Sequence, residues 1–298
     1  ANPWHQKSSP HNAISCAGFA RSWVKSSEPP SGRLLMCLPY PSPRDVGMVE
    51  RRSKLHHKLI GLMDDAVRDF GLISSGDRIL VAASGGADSL SMLFLLAERI
   101  PVYGMNISLV PVYLDMGFTA SGARNVAQIT AFFAHFASLS HVERTSFGPE
   151  AHGDKVGKNP CFVCARLRRK RLFEIAENFD CNKVALGHHK DDIVETFLIN
   201  AFYGRELSTM VPCQEAFRGR FHIIRPLAYV WERDLKAFAR ERKLPTLEEG
   251  CPTEPVSKRA YVKRLLAQLE RDHRGTKENI FKALMHVKTG YLLTSEAS

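Results

Sequence analysis

The stretch Arg78-Ile79-Leu80-Val81-Ala82-Ala83, followed at once by Ser84-Gly85-Gly86-Ala87-Asp88-Ser89, reads as a buried strand, a glycine turn and the start of a helix. Two glycines let the backbone N–H groups turn inward around an anion. The serine hydroxyls add donors, and a helix from Leu90 to Arg99 points its positive end at the same place. Strand, turn and helix in this order build a phosphate-binding site, although short Gly/Ser turns also arise by chance. The context of the motif therefore decides its reading.

A chain of 298 residues with 44% hydrophobic residues buries a good core and forms one large α/β domain with appendages. A net charge of +10 points to an anionic polymer, nucleic acid first, while part of that charge is solvated surface. Seven cysteines without regular pairing argue against a secreted disulfide framework and fit a reducing cytoplasm. Apolar runs fall short of the length that crosses a bilayer, and Leu34-Leu35-Met36-Cys37-Leu38 is too short for a secretory core, so no membrane partner is expected.

Residues 1–47 are rich in Ser and Pro, poor in acidic residues and without periodicity, and are expected to be disordered. A transit peptide has this composition too, but a processed end or sequence upstream of Met48 is the plainer reading. From residue 48, Leu55, Leu59, Leu62, Met63 and Val67 fall at helical spacing. Strand patterns at Arg78–Ala83, Ile107–Leu114, His141–Phe147, Lys183–Leu186 and His222–Pro226 then alternate with helices around 89–99, 121–136, 164–179 and 190–203. This alternation predicts an α/β fold with a parallel sheet over 48–228. Residues 229–298 read as a helical C-terminal region, with helices at Trp231–Leu244, Val256–His273 and Thr276–Val287.

Three further motifs carry chemistry. Tyr113-Leu114-Asp115-Met116-Gly117-Phe118 puts a carboxylate at the C-terminal edge of a strand, where Asp115 either meets a ribose or adenine or caps a helix. Gly187-His188-His189-Lys190-Asp191-Asp192-Ile193-Val194-Glu195 follows a strand and opens a helix. Its paired carboxylates suit Mg²⁺ beside phosphate, or simply cap the helix; its histidines lack zinc-ligand spacing. Cys161-Phe162-Val163-Cys164 leads into the basic run Arg166 to Arg171, and Cys251 lies far downstream. The Cys-x-x-Cys pair alone fits a redox couple, half a zinc site or two cluster ligands. With Cys251 folded back, three thiolates suit a [4Fe–4S] cluster with one open iron, whereas closed zinc wants a fourth ligand. Cys181 reads as a small buried residue and Cys213 as a loop residue.

Taken together, the phosphate loop, Leu114-Asp115-Met116-Gly117-Phe118, Cys161 to Arg169, Ala185-Leu186-Gly187-His188-His189-Lys190-Asp191-Asp192, Phe202-Tyr203-Gly204 and Ile224-Arg225-Pro226-Leu227 resemble the tRNA 2-thiocytidine synthetase family of PP-loop ATP pyrophosphatases. The resemblance runs from about Met48 to about Leu292. It implies a Rossmann-like adenine nucleotide alpha-hydrolase fold, ATP as substrate, Mg²⁺, and a [4Fe–4S] cluster on Cys161, Cys164 and Cys251. It further implies nucleotide contacts from Ser84, Gly85, Gly86, Asp88, Ser89, Asp115, Gly187 and His188, and catalytic roles for Asp88, Asp191, Asp192 and Arg168. The reaction implied is adenylation of the C2 carbonyl of a tRNA cytidine, cytidine 32, and its replacement by sulfur. Partners are tRNA and a sulfur donor, a cysteine desulfurase or sulfide, with a homodimer left open. Lys258, Arg259, Lys263, Arg264, Arg271 and Arg274 are candidate tRNA phosphate contacts or a solvated face.

Two positions depart from the family pattern. Ala87 stands where such loops often carry lysine, so that Asp88, Lys190 or nearby arginines must compensate, and Cys251-Pro252-Thr253-Glu254 replaces a second Cys-x-x-Cys. Rival readings are a uridine-thiolating or thiobase-desulfurating relative, a lysidine-forming ligase, and a zinc-stabilised RNA-binding module without catalysis.

Overall fold

The apolar run that opens the motif forms β1 (Arg78–Ala82), and β2 (Ser108–Asp115), β3 (His141–Arg144), β4 (Lys183–Leu186), β5 (Cys213–Ala216) and β6 (Phe221–Ile224) complete the sheet. The order is β3-β2-β1-β4-β6-β5, with β1 near the centre. The computed structural model describes residues 52–118, 122–137, 139–153, 160–247, 251 and 257–292, all in one unit, Tyr40–Ser298. The segment 1–47, expected to be disordered, lies outside the described residues.

Side chains along a strand alternate between faces, and the core divides accordingly. Ile79, Val81, Tyr113, Ala185 and Ile224 pack with α1 (Lys54–Asp69), α2 (Ala87–Tyr103), α3 (Gly122–Phe133) and α7 (Glu232–Glu241). Leu80, Val110, Val112, Leu114, Val184 and Ile223 face the other way, against Leu172, Phe173, Ile175 and Ala176 of α5 (Pro160–Asn178). A third cluster joins Ile193 and Val194 of α6 (Lys190–Ile199) to Val262 and Leu266 of α8 (Lys258–Asp272) and Phe281 of α9 (Thr276–Met285). Thus α7 belongs to the main core, while α8 and α9 rest on α6.

Three local expectations change. The strand pattern at His141–Phe147 stops at Arg144, and Phe147–His152 turns into a short helix, α4. The helix expected to end near Arg99 runs through Pro101 to Tyr103 and stops at left-handed Gly104. Cys213 lies in a strand rather than a loop: β5 pairs antiparallel with β6, the exception in an otherwise parallel sheet. Gln214 and Glu215 are exposed on this edge, so β5 carries no apolar run by which to be read.

Phe238 of α7 is fully buried, its ring 5.1 Å from His56 and 5.5 Å from Phe94. Phe238→Ala should therefore cost about 3–5 kcal/mol, measured by denaturant unfolding. A loss within experimental error would mean that α7 is an appendage rather than part of the core.

Candidate active site at the switch point of the sheet

From β1 the chain builds β2 and β3 to one side, then returns to place β4 and β6 on the other. Ligands of open α/β sheets bind where this order reverses, at the carboxyl ends of the strands. Here that point lies between β1 and β4. Ala82 pairs with Leu186, so the turns that follow, Ser84–Ser89 and Gly187–His189, stand side by side. They touch closely: a Cβ on Gly187 would come within 3.0 Å of Ser89 Cα.

The first turn is held by its own serines. Ser84 N donates to Ser89 Oγ at 3.0 Å, Ser89 Oγ donates to the Gly86 carbonyl at 3.1 Å, and Gly85 adopts φ +89°. The N-cap of α2 is Gly86, with no side-chain cap, which leaves the first-turn N–H groups for an anion. The neighbouring α6 is different. His189 Nδ1 accepts from Asp192 N, and Asp192 Oδ2 accepts from His189 N, a complete capping box. The pair of helix starts therefore offers one open anion site, at α2.

A cavity of about 600 Å³ opens over these turns. Ser84, Gly86, Asp88 and Ser89 line one wall, and Gly187, His188, His189 and Asp192 line the next. Asp88 Oδ1 is buried without a hydrogen-bond partner, while Oδ2 lies 3.6 Å from His189 Nε2. Burial disfavours the His189 imidazolium, but Asp88, Asp192 and Asp191 outweigh it and raise its proton affinity above the usual range. Asp192 already has both oxygens engaged, Oδ2 by the capping box and Oδ1 by Arg259 Nη1 at 2.5 Å.

Three residues expected at the nucleotide lie elsewhere. Asp191 is outside the cavity wall, its carboxylate accepting from Glu232 N at 2.8 Å and Lys277 Nζ at 2.6 Å. It anchors the start of α7 and ties down α9. Asp115 is also outside, where Oδ1 accepts from Gly117 N at 3.0 Å and Oδ2 faces Arg144 Nε at 3.5 Å. It closes a turn onto its own backbone. Lys190 cannot compensate for Ala87, because its Nζ bonds Glu278 at 2.6 Å and sits over the rings of Trp231 and Phe281. The cations that line the cavity are Arg168 and Arg169 of α5 with Arg259 and Lys263 of α8.

The same α5 carries the thiols. Pro160 starts the helix, and Cys161 and Cys164, one turn apart, share the face that lines the cavity. Cys251 lines it too, and nearby in sequence Leu247 N donates to the Gly85 carbonyl at 2.9 Å while its side chain packs on Gly85. Among the described residues no three His, Cys, Asp or Glu side chains converge on a single ion. Cys161, Cys164 and Cys251 line one cavity, and thiols are donors that both iron–sulfur clusters and zinc take. Cys181 lies apart, buried, its thiol pushed up to about 11 by burial.

Arg225 of the Arg-Pro-Leu motif is 4% exposed and sits behind His188. Its Nε donates to His188 Nδ1 at 3.3 Å, and its other nitrogens donate to the Val211 carbonyl and Gln214 Oε1. An arginine can only donate, so His188 Nδ1 accepts and its proton stays on Nε2. Burial, with Arg225, Arg259 and Arg168 nearby, holds His188 far below the usual imidazole range.

The profile of the PP-loop domain family matches residues 53–270. A tRNA-cytidine(32) 2-sulfurtransferase from Anaeromyxobacter dehalogenans is 40% identical over 248 residues, covering 80% of this chain and 82% of its own. The chain belongs to the PP-loop family of tRNA-cytidine(32) 2-sulfurtransferases. The like-named protein of Geobacter sulfurreducens is 38% identical, covering 81% of this chain and 94% of its own. Among solved structures, the U34-tRNA thiolase NcsA from Methanococcus maripaludis, determined with its [4Fe-4S] cluster, superposes with a TM-score of 0.65 at 20% identity. It covers 81% of this chain and 84% of its own, and shows the shared fold.

The sequence assigned no site role to the Arg225 side chain, counted Arg169 only among a basic run that could meet phosphate, and left Arg259 and Lys263 as tRNA phosphate contacts or a solvated face. Arg259 is spent on Asp192, and Lys263 bonds Glu232 at 2.8 Å. The i, i+4 spacing of Arg259 and Lys263 shows that they share a helical face, but their carboxylate partners sit on other helices. Gly85→Ala should cost about 1–3 kcal/mol, since φ +89° is strained for alanine and the new Cβ meets Leu247 Cδ1 at 2.8 Å. Thermal unfolding and ATP binding should both weaken; unchanged ATP affinity would separate the loop from the nucleotide.

Proposed function

We propose that the protein uses ATP to replace the C2 oxygen of cytidine 32 in tRNA with sulfur. The observation that carries this reading is the single cavity with an open phosphate turn on one wall and three cysteines on another. Activating an oxygen and delivering sulfur are two halves of one reaction, and the shared space serves both.

A carbonyl oxygen is a poor leaving group. The cytidine C2 oxygen attacks the α-phosphorus of ATP, pyrophosphate departs, sulfur adds to C2 and AMP leaves with the original oxygen. Ser84, Gly86, Ser89 and the free N–H groups at the start of α2 hold the pyrophosphate, while Arg168 and Arg169 supply the charge that Ala87 lacks. Mg²⁺ fits Asp88, whose buried Oδ1 has no other partner; it would neutralise charge developing on the phosphates. His188, kept neutral chiefly by its burial and also by Arg225, Arg259 and Arg168, would donate from Nε2 without adding charge. A [4Fe–4S] cluster on Cys161, Cys164 and Cys251 would supply an open iron position for sulfide, present as such or released from a desulfurase persulfide by a thiol reductant that becomes a disulfide. Residues 48–228 then carry activation, and 229–298 close the cavity and meet the tRNA. A loop cytidine can be unstacked to present its carbonyl edge, and the reducing cytoplasm keeps the thiolates.

The direct test is nucleoside mass spectrometry on unmodified tRNA incubated anaerobically with cluster-loaded protein, Mg²⁺, sulfide and ATP. ATP-dependent 2-thiocytidine is expected; a cluster-loaded sample that forms no thionucleoside would overturn the reading. Cys251→Ala should lose cluster absorbance and thiolation together. Asp88→Asn should cut pyrophosphate release about 100-fold or more with melting unchanged. Asp191→Asn should instead lose about 1–3 kcal/mol of stability, because Lys277 is left without its charged partner, and keep turnover within a few-fold. The reverse pattern would exchange the two roles.

A further inference from the structure

The helix that starts at the cavity ends in an exposed aromatic pair. After Ile199, α6 widens into a π turn, Asn200–Gly204, closed by Arg205 in the left-handed conformation at φ +58°. Such turns often mark functional sites. Phe202 and Tyr203 in it are 52% and 46% exposed, with ring centroids 6.3 Å apart. The turn is pinned: Asn200 Nδ2 donates to the Ser208 carbonyl and to Ser208 Oγ, both at 3.0 Å, and Thr209 Oγ1 donates to the Ile193 carbonyl at 2.6 Å. The rings therefore face solvent on a fixed support. Leu207 and Val211 extend the apolar surface, and Arg205 is exposed beside it.

Lys258 connects this patch to the active site. Its Nζ lies 4.6 Å from the Tyr203 ring centroid, while its neighbours Ser257 and Arg259 line the cavity. From Asp192 to Tyr203 the helix rises roughly 16 Å, within reach of a short single strand that runs out of the cavity.

We propose that Phe202 and Tyr203, with Lys258 and Arg205, form a stacking platform for an unpaired tRNA nucleotide that adjoins the target cytidine. This rests on the tRNA reading above. Aromatic rings take up unstacked bases, and the adjacent cations meet their phosphates. The charge selects RNA over an apolar protein partner, which would bury Lys258 without a counter-charge. The +10 net charge of the chain acts in the same direction.

The test compares wild-type protein, the Phe202→Ala/Tyr203→Ala double variant and Tyr203→Trp for binding to unmodified tRNA and to a fully paired RNA stem. The double variant should bind tRNA about 10- to 100-fold more weakly. It should bind ATP and the stem as wild type does, and Tyr203→Trp should retain tRNA affinity. A 2-aminopurine placed beside the target should be quenched by wild type and not by the double variant. Unchanged tRNA affinity with undiminished quenching would overturn the platform while thiolation by wild type stands. A change in self-association by sedimentation without loss of RNA binding would likewise assign the patch to a second copy of the chain. Wild type that neither binds nor thiolates tRNA would overturn both readings.

Discussion

The parallel pairing of β1 with β4, flush at Ala82 and Leu186, is the constraint on which the site depends. It places two strand ends next to each other at the reversal of sheet order, and everything chemical hangs from the turns that follow. Gly187 has no side chain because Ser89 occupies the space it would need. With the turns this close, one helix start is left uncapped for an anion and the other is sealed by His189 and Asp192. The asymmetry supports the proposal that phosphate binds at the start of α2, while the start of α6 shapes the floor of the cavity.

Charge is distributed around the cavity by the same economy. Asp88 stays without a hydrogen-bond partner for Oδ1, a costly arrangement unless a cation takes it up. Asp192 is neutralised by Arg259, and Arg225 fixes the tautomer of His188 from behind. Arg168 and Arg169 share a helix with Cys161 and Cys164, so cationic side chains and thiols line the same cavity. Cys251 lines the same cavity, and Leu247 N donates to the Gly85 carbonyl of the turn after β1.

Much of this was legible in the sequence, and the failures have physical causes. The strand–glycine–helix motif and most of the alternation of strands and helices are local patterns, and these lie where the sequence places them. Asp191 and Asp192 look equivalent in sequence, yet neighbours on a helix point about 100° apart, so Asp192 faces the cavity and Asp191 faces α7 and α9. Lys190 sits in the motif for the same local reason but is claimed by Glu278 and two rings from distant segments. Arg225 and Arg259 gain their roles from partners that only the fold brings near. The β5 edge, polar on its exposed face, has no apolar signature at all.

The central claim is that nucleotide and sulfur carrier share one cavity. The measurement that tests it most directly is electron paramagnetic resonance of the reduced, paramagnetic cluster in reconstituted protein, with Mn²⁺–ATP replacing Mg²⁺–ATP. A metal held at Asp88 beside the cluster should broaden the cluster signal and speed its relaxation, and Asp88→Asn should abolish the effect. A cluster signal indifferent to bound Mn²⁺–ATP would place the two in separate sites and contradict the account.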